Sequence, residues 1–104
     1  MVDVYLDDER TAPEGWVQCR WPEEVIELLK AGDVNMLSLD HDLGECGTYA
    51  KPRTGYDVLL WIEREVATNG FKPPLIMIHT ANPSAKDKMK AAARQIMKLY
   101  KAQP

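Results

Sequence analysis

Asn35-Met36-Leu37-Ser38-Leu39-Asp40-His41-Asp42 is a short apolar run that stops on three chemistry-bearing side chains. A buried strand cannot carry unpaired carboxylates through its interior, because the charged form loses its hydration there. The run therefore predicts a strand over residues 35–39 that ends where its acids begin. The same pattern stands upstream, where Val2-Asp3-Val4-Tyr5-Leu6 has strand character and runs into Asp7-Asp8-Glu9-Arg10. It stands again downstream. The continuous apolar run Leu75-Ile76-Met77-Ile78 predicts a strand buried on both faces, and His79-Thr80-Ala81-Asn82-Pro83 follows it.

The segments between these runs read as helices and turns. Thr11-Ala12-Pro13-Glu14-Gly15 is turn material, and residues 16–20 form a weak second strand. Pro22 suits a first helical turn, Glu23 and Glu24 suit the positive end of the helix dipole, and Val25, Ile26, Leu28 and Leu29 give one apolar face that Gly32 can end. Residues 56–68 predict a second helix, with Val58, Leu59, Ile62 and Val66 on one face, Thr54 as N-cap and Asn69-Gly70 as stop. Residues 84–101 predict a third, with Ser84 as cap. Its cations Lys86, Lys90, Arg94, Lys98 and Lys101 form a stripe opposite Met89, Ile96, Met97 and Tyr100. Residues 43–55 hold three glycines, a proline and no periodicity, which marks a long loop, either functional or disordered.

Strands alternating with helices predict an α/β fold, a three-layer domain with a mostly parallel sheet of about four strands. Ligands of such sheets bind outside the carboxyl ends of the strands. The three polar clusters all fall at those ends, so they are expected on one rim.

With 104 residues, 45% apolar and 28% charged, the chain is expected to be one globular domain over residues 1–104. No apolar run approaches the roughly 20 residues of a membrane helix, and the N-terminus lacks a signal-like pattern. A cytoplasmic location and free thiols at Cys19 and Cys46 are the matching expectations. Residues 1–50 carry net −9 and residues 51–104 net +6, an asymmetry that suits an acidic metal site beside a phosphate-attracting surface.

Asp7, Asp8, Asp40 and Asp42 are candidate metal ligands, because carboxylates at that density repel unless a cation or shared protons relieve them. A hard divalent ion, magnesium or manganese, takes oxygen donors and keeps water positions open for phosphate. His41 and His79, the only histidines, are candidates for acid–base work near neutral pH, and Asp40 joins them as a candidate catalytic residue. Thr80 and Asn82 offer a hydroxyl and an amide to a phosphoryl oxygen. Arg10, Lys51, Arg53 and Thr54 complete the candidate substrate-binding set. Positions 43 and 81 are leucine and alanine, which excludes the paired His-x-Thr elements of the two-histidine phosphoesterases. Zinc spacings, a P-loop and Gly-x-Gly-x-x-Gly are absent from the sequence.

With these residues placed, the chain resembles a shortened response-regulator receiver domain, a flavodoxin-like fold. Val4-Tyr5-Leu6-Asp7-Asp8 is similar to the receivers' first strand and acidic pair, and Leu37-Ser38-Leu39-Asp40 to the strand bearing the phospho-accepting aspartate. Gly55-Tyr56-Asp57-Val58-Leu59-Leu60 resembles the start of the next helix, and residues 74–81 the fourth strand with its Thr-Ala. The receivers' first helix is reduced or missing, as is the fifth strand with its lysine. Leu39-Asp40-His41-Asp42-Leu43-Gly44, Thr54-Gly55-Tyr56-Asp57 and His79-Thr80-Ala81-Asn82-Pro83 instead resemble the cyclic-phosphate-processing receiver-like family of bacteria and their phages. In that resemblance residues 45–53 look like a longer insertion.

These readings lead to one expectation. A divalent cation sits on Asp8 and Asp40, supported by Asp7 and Asp42, and a cyclic phosphate on a nucleotide or RNA end is opened by metal-dependent hydrolysis. A non-catalytic module that sequesters the same ligand, or a receiver phosphorylated on Asp40, are the alternatives. A homodimer through an open sheet edge is a further expectation.

Overall fold

The computed structural model describes residues 2–40 and 54–102. His41, Asp42, Lys51 and Arg53, and most of the expected loop at 43–55, lie outside the described residues. The elements run β1 (Val2–Leu6), β2 (Val17–Cys19), α1 (Pro22–Lys30), β3 (Val34–Leu39), α2 (Gly55–Asn69), β4 (Leu75–Ile78) and α3 (Pro83–Ala102). The four strands are all parallel, in the order β2-β1-β3-β4. This is the receiver-like α/β fold. None of the described helices is long and apolar enough to cross a membrane.

The register divides the sheet into two unlike faces. Val4 pairs with Leu37, Leu6 with Leu39, and Leu37 and Leu39 with Ile76 and Ile78, so these side chains share one face. Val4, Leu6, Leu37 and Leu39 are wholly buried there, together with Val25 and Leu29 of α1, Val58, Leu59, Ile62 and Val66 of α2, and Met89 and Ile96 of α3. Fully burying each such side chain contributes roughly 1.5–3 kcal/mol. The alternate positions, Tyr5, Ser38 and Met77, fall on the other face.

Handedness explains why the helices gather on one side. The connections β2-α1-β3 and β3-α2-β4 both advance in the same direction across the sheet, and right-handed crossovers in one direction place their helices on one face. α2 packs against both α1 and α3, as helices on one face must. The step from β1 to β2 goes the opposite way, and a helix there would cover the second face. Residues 7–16 cross it instead as a loop. The expected third layer is therefore not formed by the described residues, because the reduced first helix would have supplied it.

Three local expectations are corrected. β4 is an edge strand and is not buried on both faces: Leu75 is 61% and Met77 37% exposed. An apolar run looks the same whether one or both of its faces are covered. Met97 is also 37% exposed, on the cationic side of α3, while the buried row is Ala85, Met89 and Ile96. Finally, α3 is capped by Asn82 and not by Ser84. The Asn82 Oδ1 accepts the Ala85 N–H at 3.2 Å, and Pro83 takes the first helical position, where a missing N–H costs nothing.

Thr54 caps α2 as expected, accepting the Tyr56 N–H at 3.2 Å while its own N–H donates to Asp57 Oδ2 at 3.0 Å. Gly70 ends the helix in the left-handed conformation at φ 64°. Among the described residues Cys19 is a free thiol, pushed up to about 11 by burial and then by the Glu24 charge. That keeps it protonated and unreactive at neutral pH.

Candidate functional site

Backbone pairing delivers the site residues to one place. Asp7 N–H donates to the Cys19 carbonyl at 3.0 Å, Asp40 N–H to Leu6 at 3.0 Å, and His79 N–H to Leu39 at 2.9 Å. Each residue is the next step of the parallel ladder beyond its strand, so all three emerge side by side at the carboxyl rim. Asp7, Asp40 and His79 each offer a donor atom within 4.8 Å of the other two.

Asp7 is buried to 1% exposure and both of its carboxylate oxygens have partners. Oδ1 accepts the N–H groups of Glu9 at 2.8 Å and Arg10 at 2.9 Å, and Oδ2 meets His79 Nε2 at 3.1 Å. Burial works to raise its pKa, but the two backbone donors and then His79 outweigh it and hold the carboxyl below its ordinary value. Asp7 is thus an ionised carboxylate in a largely dry position.

His79 is held on three sides. Nδ1 lies 2.7 Å from Ser38 Oγ, Nε2 faces Asp7, and the ring stacks on Tyr5 at 4.3 Å between centroids with planes 6° apart. Burial lowers its pKa more than the Asp7 hydrogen bond and the Asp7 and Asp40 charges raise it, so the imidazole is neutral at pH 7. A neutral ring beside an ionised carboxylate donates from Nε2, and Nδ1 then accepts the Ser38 O–H. The Ser38 hydroxyl can also accept, so it serves the other tautomer equally well.

The remaining expected residues are distributed around this centre. Arg10 donates from Nη1 to the His79 carbonyl at 3.0 Å, which brings its guanidinium to the rim. Asp8 lies next to Asp7 but outside the three-residue set, and its carbonyl accepts from Arg20 Nη1 at 3.3 Å. Thr80 is buried, and its Oγ1 accepts the Asn82 N–H at 3.2 Å. Thr80, Asn82 and Thr54 therefore spend these acceptors on starting helices. The loop over the second face is clamped by Gln18, whose Nε2 donates to the Asp7 carbonyl at 2.7 Å and the Arg10 carbonyl at 3.2 Å.

Asp40 is positioned from behind by Gly55. A Cβ at residue 55 would overlap the Asp40 carbonyl oxygen and sit 3.0 Å from its carbonyl carbon. Only glycine lets the start of α2 approach the rim this closely.

Ser38 and Tyr5 were not among the sequence-derived candidates, yet they hold His79. Their signal was register: they pair across β1 and β3 on the face opposite the core. Ser38 is moreover a polar residue inside an apolar strand. The donor set, two carboxylates and an imidazole, fits a divalent cation.

An all-parallel sheet with acids and a histidine on its carboxyl rim defines a receiver-like domain. The chain belongs to the family described as the cyclic-phosphate processing receiver domain, whose family model matches residues 2–95. No curated protein and no solved structure matches the chain.

Proposed function

We propose that this protein opens the ring of a cyclic phosphate carried on a nucleotide or an RNA end, by metal-dependent hydrolysis at the Asp7, Asp40 and His79 rim. The convergence of those three side chains within 4.8 Å carries the reading, and membership of a cyclic-phosphate processing family supports it. Asp7 and Asp40 would hold the cation, with His79 beside them free to move a proton. When bound, a divalent ion supplies charge stabilisation to phosphoryl oxygens and lowers the pKa of a bound water.

The chain's own groups divide the remaining work. For the step, neutral His79 takes the other tautomer, with Nδ1–H donated to Ser38, so that Nε2 is free to accept the proton of the attacking water, and the negative Asp7 stabilises the imidazolium that results. The proton then returns to the ring oxygen as it leaves, giving a phosphate monoester. Arg10 supplies positive charge at the rim for the doubly charged product. Strain in a five-membered cyclic phosphate already weakens the bond, so positioning and charge are the main demands on the protein.

The test is hydrolysis of 2',3'- and 3',5'-cyclic nucleotides and of a short RNA with a cyclic end, each with magnesium, manganese or chelator, followed by phosphorus NMR. Chelator-sensitive conversion to a monoester is expected. A shifted phosphorus resonance in a stoichiometric complex without turnover would make the protein a binding module instead.

A further inference from the structure

We propose that the sheet face beside the rim that none of the described helices covers is a nucleobase subsite, on which the base attached to the cyclic phosphate stacks. The proposal rests on the cyclic-phosphate reading of the rim and specifies the substrate as a nucleotide unit, with the base contributing to binding.

Three rings make a continuous row on this face. The His79 imidazole lies parallel to Tyr5, 4.3 Å between centroids and 6° between planes, and Trp16 meets Tyr5 edge-on at 6.3 Å and 85°. All three are half-buried, so each retains exposed surface. His79 belongs to both the row and the reacting centre: its ring face contacts Tyr5 while its Nε2 meets Asp7. The row thus begins at the groups that meet the phosphate and leads away from them across the sheet.

The chemistry of the face selects a planar partner. Aromatic side chains on an uncovered sheet face are a recurrent platform for bases, because every base has a π-face and stacks without regard to its edge. An aliphatic partner would be served by the groove that Leu75 of β4 and Met97 of α3 line, which has no aromatic wall. The Gln18 amide, which pairs in register with Tyr5, is already committed to backbone groups of residues 7–12. The row therefore offers stacking with little edge readout, and all four bases are expected to be accepted.

The experiment compares adenosine 2',3'-cyclic phosphate with the methyl riboside 2',3'-cyclic phosphate, which keeps ring and leaving oxygen and lacks only the base. Both Kd and kcat/KM are measured on the full chain with manganese. The base-bearing compound is expected to bind about tenfold more tightly, the lower range of one base–aromatic stack. Trp16→Ala should bring the ratio of the two compounds close to one, and Trp16→Phe should keep most of it. The wild-type comparison stands even if Trp16→Ala fails to fold.

Equal hydrolysis of both compounds, with a ratio that Trp16→Ala does not change, would overturn the subsite and leave ring opening intact. Tighter, Trp16-dependent binding of the base-bearing compound without hydrolysis would support the subsite and overturn ring opening. A ligand-free dimer in which Trp16 is shielded from acrylamide quenching would show a second copy on this face and would also overturn the proposal.

Discussion

Gly55→Ala separates two opposing effects whose magnitudes can be compared. In a helix, alanine is ordinarily better than glycine by about 1 kcal/mol, so propensity alone predicts a more stable protein. Here the added Cβ would overlap the Asp40 carbonyl oxygen and sit 3.0 Å from its carbon and 3.1 Å from Met89 Cε. Met89 can yield at the end of a flexible chain. The Asp40 carbonyl is backbone, tied by its neighbouring N–H to Leu6 at 3.0 Å, and cannot. Overpacking of this kind costs typically 1–3 kcal/mol and occasionally more. Because the obstacle is backbone, the clash falls at the top of that range, about 3 kcal/mol, and less the propensity gain of about 1 kcal/mol the net loss is about 2 kcal/mol, or a Tm lower by roughly 8–16 °C for a domain of this size. Gly32→Ala is the control: its φ of +75° strains any side chain, but nothing lies within 4 Å, so about 1 kcal/mol is expected. Urea and thermal melts measure both, and manganese calorimetry should show weaker binding for Gly55→Ala alone, because only that change displaces Asp40. A Gly55→Ala protein as stable as the wild type, or more so, would show that the Asp40 carbonyl does not require glycine at position 55.

Acid sensitivity follows from His79 and Asp7. The unfolded chain takes a proton on histidine as pH falls through about 6.5, while burial keeps folded His79 neutral to lower pH, so the unfolded state binds more protons in that window. Stability in chelator should therefore fall as pH drops below about 6.5, and His79→Gln should flatten that slope; an unchanged slope would contradict the assignment. Asp7 contributes stability that is present above the ordinary carboxyl value and is lost as pH falls through its lowered one. Asp7→Asn should remove that acid limb in the same melts. Ser38→Ala leaves His79 Nδ1 without its hydroxyl partner and should cost about 1–3 kcal/mol, with a change in the imidazole nitrogen NMR shifts that report the tautomer. Unaltered shifts would show that Ser38 does not hold the ring.

The helices and the carboxyl rim were legible in the sequence because each rests on a local pattern. Val58, Leu59, Ile62 and Val66 repeat at helical spacing and are all wholly buried, and acids stop β1 and β3, although Asp7 is itself buried and has the Glu9 and Arg10 N–H groups in place of water. What was not legible depends on which strand lies beside which. The Asp7 contact with His79 joins residues 72 apart, and its existence follows from a sheet order that no local window contains. The same order makes β4 an edge and exposes Leu75, although Leu75-Ile76-Met77-Ile78 reads as fully buried. Ser38 and Tyr5 gained their roles only once register placed both on the face where His79 folds back. Asn82 and not Ser84 caps α3, since Pro83 fixes the first helical residue and leaves the preceding side chain in reach of the third N–H.

The proposed metal-dependent cyclic-phosphate site is built on Asp40, with Asp7 and His79. Its most direct measurement is a phosphorus NMR time course of one 2',3'-cyclic nucleotide with manganese, run in parallel on the wild type and on folded Asp40→Asn. Conversion to a monoester by the wild type, abolished together with manganese binding in the variant, is the expected result. Equal conversion by both proteins would contradict the site.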